Sequence, residues 1–164
     1  MSERRKHRVA VLMGSDSDYP VMKAAEKTLE EFGIEADVRV ISAHRTPERL
    51  TRFLAEAEEE GVVAIICGAG WAAHLAGVTA AQTLIPVLGV PIESSPLAGL
   101  DALLSTVQMP GGIPVGTLGI GKGGAKNAAL LAVAFIARFD PDLAKRLAEY
   151  REAQAAKVPE RPTR

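Results

Sequence analysis

The sequence predicts an α/β fold in which a five-stranded parallel sheet lies between two layers of helices. Short apolar runs alternate with longer amphipathic segments along the 164 residues, as they do in chains built from strand–helix–strand units. The run Val-Val-Ala-Ile-Ile-Cys at 62–67 is apolar throughout, which is typical of a strand buried on both faces of a parallel sheet. This alternation implies right-handed crossovers, and the chain length fits one domain over residues 1–158.

Local signals place each element. Gly14 follows the first strand and Gly33 ends the first helix. Thr46 followed by Pro47 indicates a helix start, because threonine can cap free backbone N–H groups and proline suits the first helical position; Asp140 precedes another proline in the same way. The predicted strands are residues 8–13, 36–41, 62–67, 86–90 and 115–120. The predicted helices are residues 18–32, 46–60, 71–83, 97–107, 125–139 and an extra C-terminal helix over 140–157, before a polar tail at 159–164.

Composition excludes several classes of function. The 19 basic and 20 acidic residues give a formal net charge of -1, so there is no basic surface for nucleic acid. One cysteine, Cys67, excludes an internal disulfide and a Cys-rich zinc site. No apolar run approaches the roughly 20 residues that cross a bilayer, and Gly14 with nearby acids interrupts any signal-type segment after the charged start. We expect a soluble, cytoplasmic protein without nucleic-acid or membrane partners.

Five strands fit the flavodoxin-like order 2-1-3-4-5 better than a six-stranded dinucleotide fold. In that order the loops after strands one, two and three are neighbours, and ligands bind at this edge of the sheet. These loops carry the unusual residues of the chain, at 14–18, 42–47 and 68–74.

The helix predicted at 125–139 is too apolar to face solvent. Either both its sides are buried or one side meets another subunit, and we expect a homo-oligomer.

The first two loops suggest an anion site beside a proton carrier. Small residues that open a helix present backbone N–H groups to an anion; Ser15 adds a hydroxyl, and Asp18 either accepts from sugar hydroxyls or caps the helix. A plain capped turn explains the same residues. In the second loop Arg45 offers a planar fork for phosphate or carboxylate, and His44 places a proton carrier next to this permanent cation. A lone histidine is more often structural or exposed, but the position of His44 at a strand end, directly before a capped helix, makes a catalytic role equally well supported.

The third loop has a competing interpretation. Gly68, Gly70 and Ala73 match the dinucleotide-binding spacing, and Glu93 lies at a suitable distance. The match falls on the third strand–helix unit, however, and bulky Trp71 would crowd a pyrophosphate. Dinucleotide binding is therefore disfavoured. Lys122, in a glycine-rich turn further on, is a weaker candidate for contact with an anion.

Taken together, GSDSD, SAHRTP, GAGWAAHLAG, PVLGVP and the run from LLSTVQMPGG to GGAKNAALLA resemble the 5-(carboxyamino)imidazole ribonucleotide mutase family of de novo purine biosynthesis. The resemblance extends from about residue 8 to about residue 150. It implies a flavodoxin-like three-layer subunit and a homo-octamer with shared active sites. It also implies a small-molecule ribonucleotide substrate, no metal and no organic cofactor.

The reaction that the resemblance implies moves a carboxylate from the exocyclic nitrogen of an aminoimidazole ribonucleotide to ring carbon C4, through released carbon dioxide. The resemblance makes His44 the general acid and base and Arg45 the contact to a substrate anion. Further substrate-binding residues implied in this way are Ser15, Asp18, Ser42, Ala43, Gly70, Ala73, His74 and Leu75.

Two residues depart from the family pattern, since Trp71 replaces a glycine and Ala76 replaces a proline. The indole either lines the cavity or meets another subunit. A sister class carboxylates aminoimidazole ribonucleotide directly; the Ala-Ala-His-Leu segment resembles the mutase class instead. A non-catalytic nucleotide-binding domain is the third hypothesis.

Overall fold

The computed structural model describes residues 7–162, and within that range the chain forms one parallel sheet with helices on both faces. The strands are Arg8–Met13 (β1), Glu35–Val40 (β2), Val62–Gly70 (β3), Val87–Ile92 (β4) and Gly116–Thr117 (β5). The helices are Tyr19–Glu31 (α1), Pro47–Glu59 (α2), Leu75–Ala80 (α3), Leu100–Val107 (α4), Lys122–Ala137 (α5) and Pro141–Ala155 (α6), with a 3₁₀ helix at Asp16–Asp18. The strand order is β2-β1-β3-β4-β5, which confirms the predicted flavodoxin-like fold.

The two faces of the sheet build two separate cores, because successive side chains of a strand point to opposite faces. In β1, Val9 and Val11 belong to the core under α1, α5 and α6, whereas Ala10 and Leu12 belong to the core under α2 and α3. All four side chains are fully buried. The three-layer arrangement leaves the loops at the carboxyl ends of the strands free to carry functional groups.

The apolar character of α5 is explained by burial within one chain. Its small residues, including Ala125, Ala128 and Ala132, are fully buried against the sheet and α1. On its outer side, α6 covers part of the helix, and Leu130 and Leu131 are only partly buried. Of the two predicted explanations, burial on both sides therefore accounts for most of α5.

Several predicted boundaries were wrong. β3 extends three residues further than predicted, because Gly68, Ala69 and Gly70 continue to pair with β4. Consequently α3 begins at Leu75 rather than at residue 71. α4 begins at Leu100, since Gly99 has a left-handed φ of 84°. β5 is reduced to two residues, although the backbone N–H of Leu118 still donates to Gly89 at 2.9 Å.

The structure describes part of each end of the chain. His7, in the charged leader of the chain, has its Nε2 3.1 Å from Oδ2 of Asp140, the residue that caps α6. The rest of that leader, residues 1–6, lies outside the described residues. Residues 159–162 are exposed and without helix or strand, and the last two residues of the predicted tail are likewise outside the described range. None of the described helices has the length and apolar character needed to cross a bilayer.

Candidate active site

A cavity of about 430 Å³ opens at the carboxyl ends of β1, β2 and β3. This is the edge of the sheet where the strand order reverses and where open α/β sheets bind ligands. All three predicted loops contribute to it. The lining residues are Gly14, Ser15, Ser17, Asp18, Ser42, Ala43, His44, Arg45, Ala69, Gly70, Trp71, Ala72, His74, Leu75 and Ser94.

In the loop after β1, Ser15 and Asp18 form a reciprocal cap on the 3₁₀ helix. The backbone N–H of Ser15 donates to Oδ2 of Asp18 at 3.0 Å, and Oγ of Ser15 accepts from the backbone N–H of Ser17 at 3.3 Å. Asp18 is 6% exposed. Burial raises the pKa of its carboxyl, while the Ser15 N–H and the charge of Arg45 act in the opposite direction. The capping role is thus present in the structure; contact with a sugar stays a prediction.

Arg45 is anchored between the ends of β1 and β2. Its Nη2 donates to the carbonyl of Gly14 at 3.0 Å, and its Nε donates to Oγ of Ser42 at 3.3 Å. The backbone N–H of Arg45 also donates to Oγ of Ser42, at 3.1 Å. These bonds hold a permanent cation beside the 3₁₀ helix while the side chain stays exposed to the cavity.

The predicted capping role of Thr46 was wrong. Its Oγ1 donates to the carbonyl of Ser42 and accepts from the backbone N–H of Ser42, both at 3.0 Å, and it makes no side-chain bond to the N-terminus of α2. A side chain that bonds to its local backbone competes with capping. Thr46 therefore closes the bend that presents Ala43, His44 and Arg45.

His44 and His74 face each other across the cavity. Nε2 of His44 lies 2.8 Å from Nδ1 of His74, and the two rings meet edge to face with centroids 4.9 Å apart. A hydrogen bond of this kind requires one imidazole nitrogen to donate and the other to accept. The protonation state of one ring is therefore tied to the tautomer of the other. Both side chains are exposed in the single chain.

The glycines of β3 serve packing rather than phosphate binding. A Cβ at Gly68 would lie 2.2 Å from Sδ of Met22, and a Cβ at Gly70 would lie 1.7 Å from Oγ of Ser94. Both glycines are paired strand residues, so the turn that a dinucleotide-binding loop requires is absent from this segment. The spacing that resembled a dinucleotide fingerprint thus has a purely structural origin.

Among the predicted substrate-binding residues, Ala73 is the one that does not line the cavity. It is 1% exposed, and its carbonyl accepts from Oγ1 of Thr106 at 3.5 Å. Sequence reasoning missed Ser94, which follows β4 and lies against Gly70; the polar run at 93–95 directly after the strand was the available signal. Lys122 does not line the cavity.

Trp71 lines the cavity with a strained backbone. Its φ is 53°, in the left-handed region that costs an L-residue roughly 1–2 kcal/mol. The side chain is 60% exposed, so little of that cost is recovered by burial within the chain.

Among residues 7–162 no group of three or more His, Cys, Asp or Glu side chains is placed to hold a metal ion.

A sequence model of one family, described as AIR carboxylase, matches residues 8–157. The chain belongs to the AIR carboxylase family. Several relatives carry the name N5-carboxyaminoimidazole ribonucleotide mutase, among them the following two. The one from Brucella melitensis is 57% identical and the match covers 94% of this chain and 96% of the relative. The one from Escherichia coli K12 is 53% identical, with 98% and 95% covered.

Among solved structures, the crystal structure of PurE from Treponema denticola superimposes on this family member with a TM-score of 0.84. The two chains are 32% identical, and 92% of each is covered. The family predicted from the sequence motifs is therefore confirmed over nearly the whole chain.

Proposed function

We propose that this protein is an N5-carboxyaminoimidazole ribonucleotide mutase, an isomerase that moves a carboxylate from the exocyclic nitrogen to C4 of the ring. The observation that carries this proposal is the identity of more than half of the residues to relatives of that name over nearly their full length. The cavity supports it, since an imidazole pair and a fixed guanidinium open into one space large enough for a small ligand.

The polar end of the cavity suits the phosphate and sugar of a ribonucleotide. Arg45 supplies a permanent cation there, and the neighbouring Ser15 and Ser17 supply hydroxyl groups and the start of a helix. Asp18 is a candidate acceptor for sugar hydroxyls, although one of its oxygens is already bonded to Ser15. Ser42, Ala43, Gly70 and Leu75 complete the walls.

His44 is the proposed acid and base. As an imidazolium it donates a proton to the exocyclic nitrogen, the nitrogen–carbon bond breaks with its electrons remaining on nitrogen, and carbon dioxide is released. C4 of the electron-rich ring then attacks the carbon of carbon dioxide. Neutral His44 removes the C4 proton, which restores the aromatic ring and regenerates the imidazolium. No proton or electron is gained or lost overall, as an isomerisation requires.

His74 is a candidate substrate-binding and positioning residue in this scheme. Its Nδ1 lies 2.8 Å from Nε2 of His44, and an imidazole with a fixed partner keeps its orientation and tautomer. The proton exchanged with the substrate is then the one on Nδ1 of His44. Its Nε2–H donates to Nδ1 of neutral His74 whether His44 is protonated or neutral. The pair thus stays bonded in both states that the reaction visits.

A closed site keeps carbon dioxide beside the ring, so that recombination becomes a local event. In a single chain the cavity is open and both histidines are exposed, which supports a site completed by a neighbouring subunit. The homo-octamer with shared sites is the assembly that the family resemblance implies. Exposed apolar residues on α4, including Leu100, Leu104 and Val107, offer a surface for such contacts. We place the enzyme in the cytoplasm, where purine biosynthesis supplies its substrate.

The test uses purified protein and N5-carboxyaminoimidazole ribonucleotide without ATP. The wild-type protein converts it to the C4-carboxylated product. His44→Asn lowers kcat by about 10²–10⁴-fold, the usual contribution of a general acid and base, while circular dichroism and molecular mass are unchanged. His7→Asn is the matched control, because His7 precedes β1 and lies away from the cavity. Turnover retained by His44→Asn would remove His44 from this role.

The same preparation separates the mutase from a direct carboxylase. A mutase converts the carbamate substrate at low bicarbonate, whereas a direct carboxylase requires aminoimidazole ribonucleotide and dissolved carbon dioxide. Binding of either nucleotide with no turnover would indicate a non-catalytic domain and overturn the proposal.

A further inference from the structure

Trp71 is held at the edge of the cavity by a rigid stretch of backbone. On its N-terminal side Gly70 is a paired residue of β3, so close to Ser94 that a Cβ would overlap it. On its C-terminal side Ala73 is buried, and the backbone N–H of His74 donates to the carbonyl of Ala72 at 2.8 Å. The backbone position of Trp71 is therefore set by the fold, not by a loose loop.

The indole has no partner of its own in the described part of the chain. It is 60% exposed, and within residues 7–162 it makes no ring–ring, cation–ring or hydrogen-bonding contact. A left-handed φ of 53° disfavours a bulky side chain. A large aromatic group at a strained and exposed position that also lines a cavity points to a contact outside the chain.

The cavity has distinct ends, because its walls come from strands in the order β2, β1, β3 and β4. Ser15 and Arg45 lie at the ends of β1 and β2. Trp71 and Leu75 follow β3, and the His44–His74 bond joins the loop after β2 to the loop after β3. A ribonucleotide whose phosphate lies near Arg45 would place its flat ring near the histidines and the indole.

From this arrangement we infer that Trp71 is a substrate-contacting residue, whose indole stacks on the aminoimidazole ring and covers the open side of the cavity. The ligand identity rests on the proposed function. Stacking of a flat heterocycle on an exposed aromatic side chain is favourable with little demand on hydrogen-bond geometry. The same contact keeps water from the ring while carbon dioxide is free.

Fluorescence tests this inference directly, since Trp71 is the sole tryptophan of the chain. The probes are the C4-carboxylated product nucleotide and ribose 5-phosphate, which has the sugar and phosphate but no ring. In the assembled, ligand-free protein, acrylamide quenches the Trp71 emission. The product nucleotide shifts that emission and protects it from acrylamide, and ribose 5-phosphate does neither.

Substitutions give the matching affinities. Trp71→Gly weakens binding of the product nucleotide by roughly tenfold, within the range expected for loss of one base–aromatic stack, and leaves ribose 5-phosphate unchanged. Trp71→Phe restores most of the affinity. Phe139→Ala is the control, because Phe139 is another exposed aromatic residue, 92% accessible, which does not line the cavity. This variant binds both probes as the wild-type protein does.

Two outcomes would overturn the role of Trp71 while leaving the enzyme assignment intact. In the first, Trp71→Gly turns over the substrate at the wild-type rate and binds the product nucleotide with the wild-type affinity. The other is an emission that acrylamide cannot reach in the ligand-free assembly, which would assign the indole to a subunit contact. A wild-type protein that neither converts the carbamate substrate nor binds the product would instead refute the proposed function.

Discussion

Two adjacent glycines at the start of α5 have opposite environments, so alanine substitutions there are expected to change stability in opposite directions. At Gly124 an added Cβ would lie 1.6 Å from the carbonyl oxygen and 2.5 Å from the carbonyl carbon of Gly119. These are backbone atoms, which cannot rotate away as a flexible side chain can. At Gly123 an added Cβ meets nothing within 4 Å. Both residues are helical.

The magnitude follows from this contrast. Replacing a helical glycine by alanine contributes up to about 1 kcal/mol to stability through helix propensity, and both variants gain it. Gly124→Ala also forces the 119–121 segment away from α5. Overpacking costs typically 1–3 kcal/mol, and an overlap with backbone belongs at the upper end of that range. The free energies of unfolding of the two variants should therefore differ by about 3 kcal/mol, with Gly123→Ala the more stable.

Urea denaturation followed by circular dichroism measures the difference. Protein concentration must be the same for each variant, because subunit association contributes to apparent stability. Equal midpoints for the two variants, or a lower midpoint for Gly123→Ala, would refute the close approach of α5 to Gly119.

Three further predictions concern ionisable groups. Burial raises the pKa of the Cys67 thiol to about 12, so a thiol reagent at pH 8 should modify Cys67 only after unfolding; rapid labelling of the native protein would contradict its burial. The Leu143 N–H and His7 lower the pKa of Asp140 in the folded protein. Ionised Asp140 therefore stabilises the fold fully at pH values above its unfolded-state pKa. This stabilisation is lost as the pH falls through its folded-state pKa. Asp140→Ala should lower the melting temperature at pH 7 but not at pH values below the folded-state pKa of Asp140. An equal decrease in melting temperature under both conditions would contradict this prediction. Burial raises the pKa of Asp18 in the folded protein. The ionised carboxylate therefore destabilises the ligand-free fold at pH values above the folded-state pKa. This destabilisation disappears at pH values below the unfolded-state pKa. Asp18→Asn should therefore flatten the pH dependence of melting.

The sheet was predictable because its signals are local. Runs such as Val62–Cys67 are apolar enough to identify buried strands, and the alternation with helices fixes their parallel direction. The end of β3 was not predictable in the same way. Gly68 and Gly70 have weak strand propensity, and they join the strand because β4 pairs with them and Met22 and Ser94 leave no room for a side chain.

The candidate site was predictable at the level of loops and less so at the level of bonds. Strand order brings the loops carrying Ser15, His44 and His74 to one edge of the sheet. The 2.8 Å contact between the two histidines joins residues 30 positions apart, and it depends on how the loops pack. For Thr46 the sequence predicts a helix cap that the structure does not have. Its hydroxyl bonds to the backbone N–H and carbonyl of Ser42 instead.

The most direct test of the proposed chemistry follows the transferred carbon itself. The substrate carries ¹³C in its carbamate carboxylate, and the reaction runs without ATP in an excess of unlabelled bicarbonate. Mass spectrometry measures the amount of labelled and unlabelled product, and ¹³C NMR locates the label. If His44 and its cavity pass carbon dioxide between two atoms of one ring, the label appears in the C4 carboxylate of the wild-type product, and His44→Asn forms none. Product carrying unlabelled carbon from bicarbonate would show that carbon dioxide comes from solution, and it would contradict transfer within a closed site.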